Sequence, residues 1–362
     1  MGGTHSDWIA LHLAPGIGDR RKRKLVERLG GPGAVFRASA EEVAGAAGCG
    51  IERARTFLRG RTDPEPVLRE TERAGGAVLV FDDPAYPLLL KETHDPPLVL
   101  FARGDTAVLS RPAVAVVGAR RADPGAAGWT EKMGSVLARS GFLVASGFAC
   151  GIDAAAHRGA LAGGGTTAAV LGTGIDICYP EGHAALADAI AKSGVLLTEL
   201  PPGAGPLAPH FPKRNRILAG LAVGVVVVQA AEKSGAMITA RLALEAGREV
   251  FVVAGPPWEP RFAGNRRLAR EGAPVVQDGE EAALLLGATP PEAPSEGTLP
   301  LDLAGVDRQV ALALSDGPRT TDEICRATGR LPSEVLPLLL RLELAGLVEE
   351  RAGRLFALAG AS

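Results

Sequence analysis

A chain of 362 residues and 37.2 kDa is long enough for about two to three domains, which excludes a lone small module. Hydrophobic residues make up 46% and charged residues 22%, with 47 glycines and 27 prolines, so the chain is globular and turn-rich rather than disordered. The formal charge of −2 excludes a uniformly basic surface, and with aromatics at only 4% each ring is informative.

Cys49, Cys150, Cys178 and Cys325 stand far apart without a Cys-x-x-Cys pair, which argues against a zinc site or a disulfide framework and fits a reducing cytosol. The longest apolar run, Ile217 to Val228, is shorter than the roughly 20 residues of a membrane-spanning helix. Met1 to Ala14 has no basic start followed by an apolar stretch. The expectation is a soluble, cytoplasmic protein with no membrane partner.

Residues 1–61 read as short helices broken by glycine. Pro15-Gly16-Ile17-Gly18 opens a basic helix at Arg20-Arg21-Lys22-Arg23-Lys24, with a looser echo at Ala47-Gly48-Cys49-Gly50-Ile51. An apolar-Pro-Gly-Ile-Gly turn resembles a helix-hairpin-helix (SAM-like) unit, whose glycines let backbone N–H groups approach a phosphate. Ten Arg or Lys face six Asp or Glu over residues 1–60; the alternative is a docking domain whose basic helix is a solvated face.

Residues 62–110 carry several X-Pro pairs around two apolar runs, Ala77 to Phe81 and Leu98 to Phe101, and read as an extension leading into the core. Over 111–287, Val-rich runs alternate with helical stretches: Ala113–Val117, Phe142–Ala145, Thr166–Leu171, Val195–Thr198, Val223–Val228, Glu249–Val253 and Pro274–Val276. That alternation predicts βαβ units in an α/β, Rossmann-like, doubly wound, mostly parallel sheet. A Pro-rich linker follows at 288–302, then a tail over 303–362 with helices at Val306–Leu314, Thr321–Thr328 and Pro332–Ala345. A hairpin of Gly346–Glu350 with Arg354–Leu358 completes the pattern of a winged-helix domain. Its seven Arg against eight Asp or Glu favour docking or dimerisation over DNA.

In a doubly wound sheet, ligands sit outside the carboxyl ends of the strands, where helix N-termini expose N–H groups. Here those ends read Gly118-Ala119-Arg120-Arg121, Ser146-Gly147-Phe148 and Gly172-Thr173-Gly174, with Ser234-Gly235 opening a later helix. Several anion-ready turns along one edge suit an extended phosphate chain better than one mononucleotide. The segment Phe211-Pro212-Lys213-Arg214-Asn215-Arg216 adds cations for phosphates, an amide for a phosphate or base edge, and a ring for stacking. Its alternative is a charged helix start with Phe211 in the core. Neither Gly-x-Gly-x-x-Gly after the first strand nor Gly-x-x-x-x-Gly-Lys-Ser/Thr is present, so dinucleotide-dependent and P-loop readings fall. Asp153 and His157 share a helical face, but two ligands make a poor metal site, and they read as a capping Asp and a hydrogen-bonded His.

Ser146-Gly147-Phe148-Ala149-Cys150-Gly151-Ile152-Asp153 with His157, Gly172 to Tyr179-Pro180, Phe211 to Ile217, and Ser234-Gly235-Ala236-Met237-Ile238-Thr239-Ala240 together closely resemble the DNA-processing protein A family (DprA/Smf). The helical front and winged-helix tail resemble its longer members. The resemblance implies a homodimeric protein that binds single-stranded DNA, protects incoming strands during natural transformation and loads RecA, without catalytic turnover, metal or cofactor. It carries the strand-binding groove over to Gly118, Arg120, Arg121, Ser146, Gly147, Phe211, Lys213, Arg214 and Asn215, and more loosely to Met237 and Thr239. The outer domains are candidate sites for duplex DNA.

This sequence departs from the family's pattern at Ala119, where Ser or Thr is common, at Cys150, where Arg is usual, and at Ala254-Gly255-Pro256 in place of Pro-Gly. The first two would each remove a hydrogen bond or charge, on the order of 1 kcal/mol for a neutral bond and more for a charged one. The rival classes are a nucleoside monophosphate glycosidic-bond hydrolase of a related Rossmann-like fold and a protein-docking scaffold. Such a hydrolase carries Pro-Gly-Gly-x-Gly-Thr-x-x-Glu; Gly163-Gly164-Gly165-Thr166-Thr167 leads into a strand without that Glu.

Overall fold

Strand β3, Ala113–Val117, is buried along its whole length, as expected of a parallel strand covered on both faces, and it lies in the interior of a nine-stranded sheet, between β4 and β7. The other strands are β1 (Gly76–Val80), β2 (Val99–Gly104), β4 (Leu143–Ser146), β5 (Thr167–Val170), β6 (Val195–Thr198), β7 (Ala222–Val227), β8 (Glu249–Val253) and β9 (Val275–Val276). They run in the order β1-β2-β6-β5-β4-β3-β7-β8-β9. From β6 to β9 every pairing is parallel; β2 pairs antiparallel with β6, and β1 with β2. The chain winds outward from β3 in one direction through β6, then returns to β7 on the other side. That reversal makes the carboxyl ends of β3 and β7 the switch point of the fold.

The structure is a computed structural model that describes residues 4–288, 306–314, 317–344, 347–351 and 355–358. The expected linker at 288–302 lies outside the described residues except for Ala288. The chain divides into two compact units, Met1–Ala288 and Thr289–Ser362.

Within the first unit, front helix His5–Leu13 packs against β1 and β2, and helices Asp19–Leu29, Ala40–Ala47 and Ile51–Arg59 pack successively onto it and one another. Trp8, Leu11, Leu25 and Phe57 share one buried cluster with Phe101, Leu171 and Leu196. The Gly-rich turns act as helix starts: Gly18 and Gly50 are the N-caps of the second and fourth helices, and Ser39 with Glu42 forms a capping box at the third. The extension expected at 62–110 adds β1 and β2 to the sheet edge.

The apolar run at Ile217–Val228 is neither one helix nor one strand. Helix His210–Leu221 passes directly into β7, with Ala222 already extended at φ −87° and ψ 147°. This abrupt change seats the start of the helix across the strand ends. In the second unit, helices Val306–Ala313, Thr321–Thr328 and Pro332–Leu344 accompany a three-stranded sheet of β10 (Arg319–Thr320), β12 (Leu355–Leu358) and β11 (Val348–Arg351), in that order. Their core is Val310, Leu314, Ile324, Val335, Leu339, Leu342, Val348 and Phe356. The architecture is a Rossmann-like, mostly parallel sheet with a helical N-terminal region and a C-terminal winged helix.

Candidate nucleic-acid interface

The loops following β3 and β4, the start of helix His210–Leu221 and the start of helix Gly235–Glu245 enclose an open groove of about 550 Å³. Gly118, Arg120, Gly147, Phe211, Arg214, Asn215 and Thr239, all expected at the site, line it. The Phe211 ring rests on Gly172, where a Cβ would stand 2.7 Å from Phe211 Cδ1. Above it, the exposed Arg120 guanidinium lies 5.4 Å from the Phe211 centroid, within cation–π range. Tyr179 also meets this ring, its own ring 5.6 Å from Phe211 at 46°; it follows into Pro180 through a cis peptide bond and is 42% exposed. A cation and two aromatic rings thus stand in series along one wall.

Beneath this wall, Arg214 is buried with 5% exposure and donates from Nη1 to the Val170 carbonyl at the end of β5. Burial lowers it to about 10, against the opposing pull of Asp153. Asp153, also buried, is raised by desolvation and held down by the Arg214 charge and by the Ala149 N–H it accepts. These opposite charges support the floor. The Arg214 guanidinium lies directly over Gly147: an added Cβ there would meet Cζ at 2.6 Å. The next residue, Phe148, takes φ +61°, a left-handed conformation that strains a bulky side chain. Its ring packs against His157 and His183, with centroids 6.1 and 5.3 Å away.

His157 is held by a definite proton pattern. Thr167 Oγ1 donates to the Val144 carbonyl, so it accepts from His157 Nδ1 at 2.6 Å, leaving Nε2 buried without a partner. Burial lowers His157 to about 3. Among the described residues no group of three or more His, Cys, Asp or Glu is placed to hold a metal ion.

Four expected residues fall outside the groove lining, each for a physical reason. Ser146 is fully buried as the last residue of β4, and its hydroxyl donates to the Val116 carbonyl at 2.6 Å, so it shapes the turn. Met237 packs against the core, with its sulfur 2.6 Å from a Cβ built at Gly264. Arg121 is exposed and is not among the residues that line the groove. Lys213 points to the opposite side of its helix, where Nζ lies 3.0 Å from Glu199 Oε2. Of the residues that do line the groove, Asn215 Nδ2 donates to the Gly235 carbonyl at 3.3 Å and Thr239 Oγ1 is buried against the same oxygen at 3.4 Å.

Sequence reasoning did not place Tyr179 or Glu199 at the candidate site, and it took Ser234 only as part of an anion-ready turn. Tyr179 is one of only two tyrosines in the chain, a signal that was available. Ser234, at the groove, has a buried hydroxyl without a partner. Glu199 is legible only once β6 and helix His210–Leu221 are brought together.

Residues 77–286 match the family model for DNA recombination-mediator protein A, and residues 289–354 match the DprA winged helix domain. Protein Smf of Synechocystis is 34% identical over 331 residues, covering 82% of this chain and 83% of its own. A putative DNA processing protein DprA of Mycobacterium tuberculosis is 40% identical over 299 residues, covering 78% and 77%. The X-ray structure of DNA processing protein A from Streptococcus pneumoniae superposes with TM-score 0.70 at 33% identity, covering 80% of this chain and 99% of that one. The Helicobacter pylori protein, whose structure is described for its single-stranded DNA binding mode, superposes with TM-score 0.53 at 29% identity over 58% of this chain and 95% of that one. On sequence and fold together, the chain belongs to the DNA-processing protein A family, DprA/Smf.

Proposed function

We propose that this chain is a single-stranded-DNA-binding recombination mediator that takes the strand along the groove at the carboxyl ends of β3 and β4. The observation that carries the reading is the series Arg120, Phe211 and Tyr179 on one wall, with 5.4 Å and 5.6 Å between neighbours. Every base has a π face, so stacking on such a wall is tolerant of sequence, and cations beside it meet the phosphates. The sole carboxylate among the lining residues is Asp153, which is buried beside Arg214. That composition suits binding better than turnover.

Phosphate contacts supply most of the affinity in this reading, so binding falls steeply with salt and shows little sequence preference. The biological role is protection of incoming strands and loading of RecA during natural transformation, by a cytoplasmic homodimer. The test is a fluorescence-anisotropy titration of the whole chain with a labelled single strand and the matching duplex at two salt concentrations. Preference for the single strand, with a salt slope that falls in Arg120→Ala, supports the groove; preference for duplex, or an Arg120→Ala slope equal to the parent's, overturns it. RecA loading is read separately, as faster RecA assembly on a coated single strand when the chain is added.

A further inference from the structure

Helix His210–Leu221 borders two cavities. Arg214 and Asn215 face the strand-end groove, whereas Lys213, next to them in sequence, lines a different cavity of about 730 Å³. The far wall of that cavity is the start of front helix Asp19–Leu29, with Arg20 and Arg21. Both walls belong to one compact unit.

The charges of this cavity can be accounted for individually. Arg216 reaches Glu199, Asp95 at 3.3 Å and Asp19 at 3.8 Å. Buried Lys22 lies 3.9 Å from Asp19 and donates to the His12 carbonyl at 2.6 Å. Lys213 shares the same Glu199 oxygen, Oε2, with Arg216. Each carboxylate therefore already has a cation. Arg20 and Arg21 are exposed, and neither has a carboxylate within ion-pair distance among the described residues. The excess charge facing outward is positive, and it adjoins half-exposed Lys213 at the helix start that also forms the groove.

We infer that the front helix continues the strand-binding track: the sugar-phosphate backbone of a single strand leaving the Arg120–Phe211 wall crosses the helix start at Lys213 and sets its next phosphates against Arg20 and Arg21. This rests on the reading of the groove given above. It assigns the front domain a direct role in holding single-stranded DNA, where the sequence left open a solvated basic face. Short strands fill only the groove; longer ones reach the front helix.

The test compares the full chain with an Arg20→Gln/Arg21→Gln double variant and with Arg120→Ala, using single strands of about 6 and about 20 nucleotides, a range set by typical single-strand site sizes. The replaced positions are exposed and glutamine is a good helix former, so folding is retained, as circular dichroism and thermal melting verify. The double variant is expected to bind the long strand roughly tenfold more weakly, with a salt slope lower by about 1.4 for two lost contacts, and to bind the short strand unchanged. Arg120→Ala weakens both lengths. A double variant that binds the long strand with unchanged affinity and slope while Arg120→Ala weakens both overturns the extension and leaves the groove standing. A loss confined to duplex DNA also overturns it. Equal binding by Arg120→Ala and parent at both lengths overturns the groove and the extension together.

Discussion

Lys213 Nζ lies 3.0 Å from Glu199 Oε2, and the same oxygen accepts from Arg216 Nη2. Glu199 is almost fully buried at 4% side-chain exposure, whereas Lys213 is half exposed at 51%. One carboxylate thus anchors a part-buried arginine that joins the core to the front helices and holds a lysine that a phosphate would also attract. Because the lysine end is solvated, that pair contributes at most about 1 kcal/mol, a bond a polyanion can replace.

Glu199→Gln is therefore expected to act in opposite directions on binding and stability. Single-strand affinity rises by up to about fivefold as Lys213 is freed, while stability falls by about 1–3 kcal/mol, because Arg216 loses its buried partner but keeps Asp95 and Asp19. Anisotropy and urea unfolding of the same preparation measure both. A fall in affinity would mean that Glu199 positions Lys213 for DNA rather than competing with it.

Gly147→Ala is expected to destabilise the chain by about 1–3 kcal/mol, the usual cost of overpacking, and to weaken strand binding. A Cβ at this position would stand 2.6 Å from Arg214 Cζ. A flexible arginine end could yield cheaply, but this one is buried and bonded to the Val170 carbonyl. Unchanged urea stability would show that the guanidinium swings freely into the groove.

The sheet was legible in the sequence because parallel strands covered on both faces need unbroken apolar runs, and Ala113–Val117, Val195–Thr198 and Glu249–Val253 stand as read. The apolar runs of β1 and β2 were visible, but their X-Pro surroundings and the pairing of β2 with β6, far along the chain, made them read as an extension rather than as strands of the sheet. The site was legible as a collection of residue types but not as an arrangement. Lys213 and Arg214 read as one basic patch, yet successive helical residues turn by about 100°, so one faces Glu199 and the other the groove floor. Ser146 illustrates the same limit: a hydroxyl at a strand end looks available until the neighbouring strand's Val116 carbonyl takes it.

Acid should weaken the fold through His157. Burial holds it neutral down to about 3, whereas an unfolded histidine takes up its proton near 6.5. Between those values the unfolded chain binds the extra proton, so stability is fully present above about pH 6.5 and declines as pH falls toward 3, by at most about 1.4 kcal/mol per pH unit for one such group. His12, lowered chiefly by its own burial, adds to the slope. Urea midpoints from pH 7 to 4 should fall less steeply in His157→Gln than in the parent; parallel curves would remove His157 as the cause.

Stacking and charge at the groove wall are separable. Phe211→Ala should lose about 1–3 kcal/mol of single-strand affinity with the salt slope unchanged, because a ring releases no counterions. Arg120→Ala should lower the slope by about 0.7, one phosphate contact on a single strand, and should also lose the cation–π contact that orders the Phe211 ring at 5.4 Å. The two losses should therefore be less than additive, with a coupling of about 0.5–1 kcal/mol in a double-mutant cycle. Tyr179→Phe should be silent and Tyr179→Ala should weaken binding, since it is the ring against Phe211, not the hydroxyl, that extends the wall. Full additivity of Arg120 and Phe211, with Tyr179→Ala also silent, would mean that bases do not stack along this wall and that the strand is held by its phosphates alone.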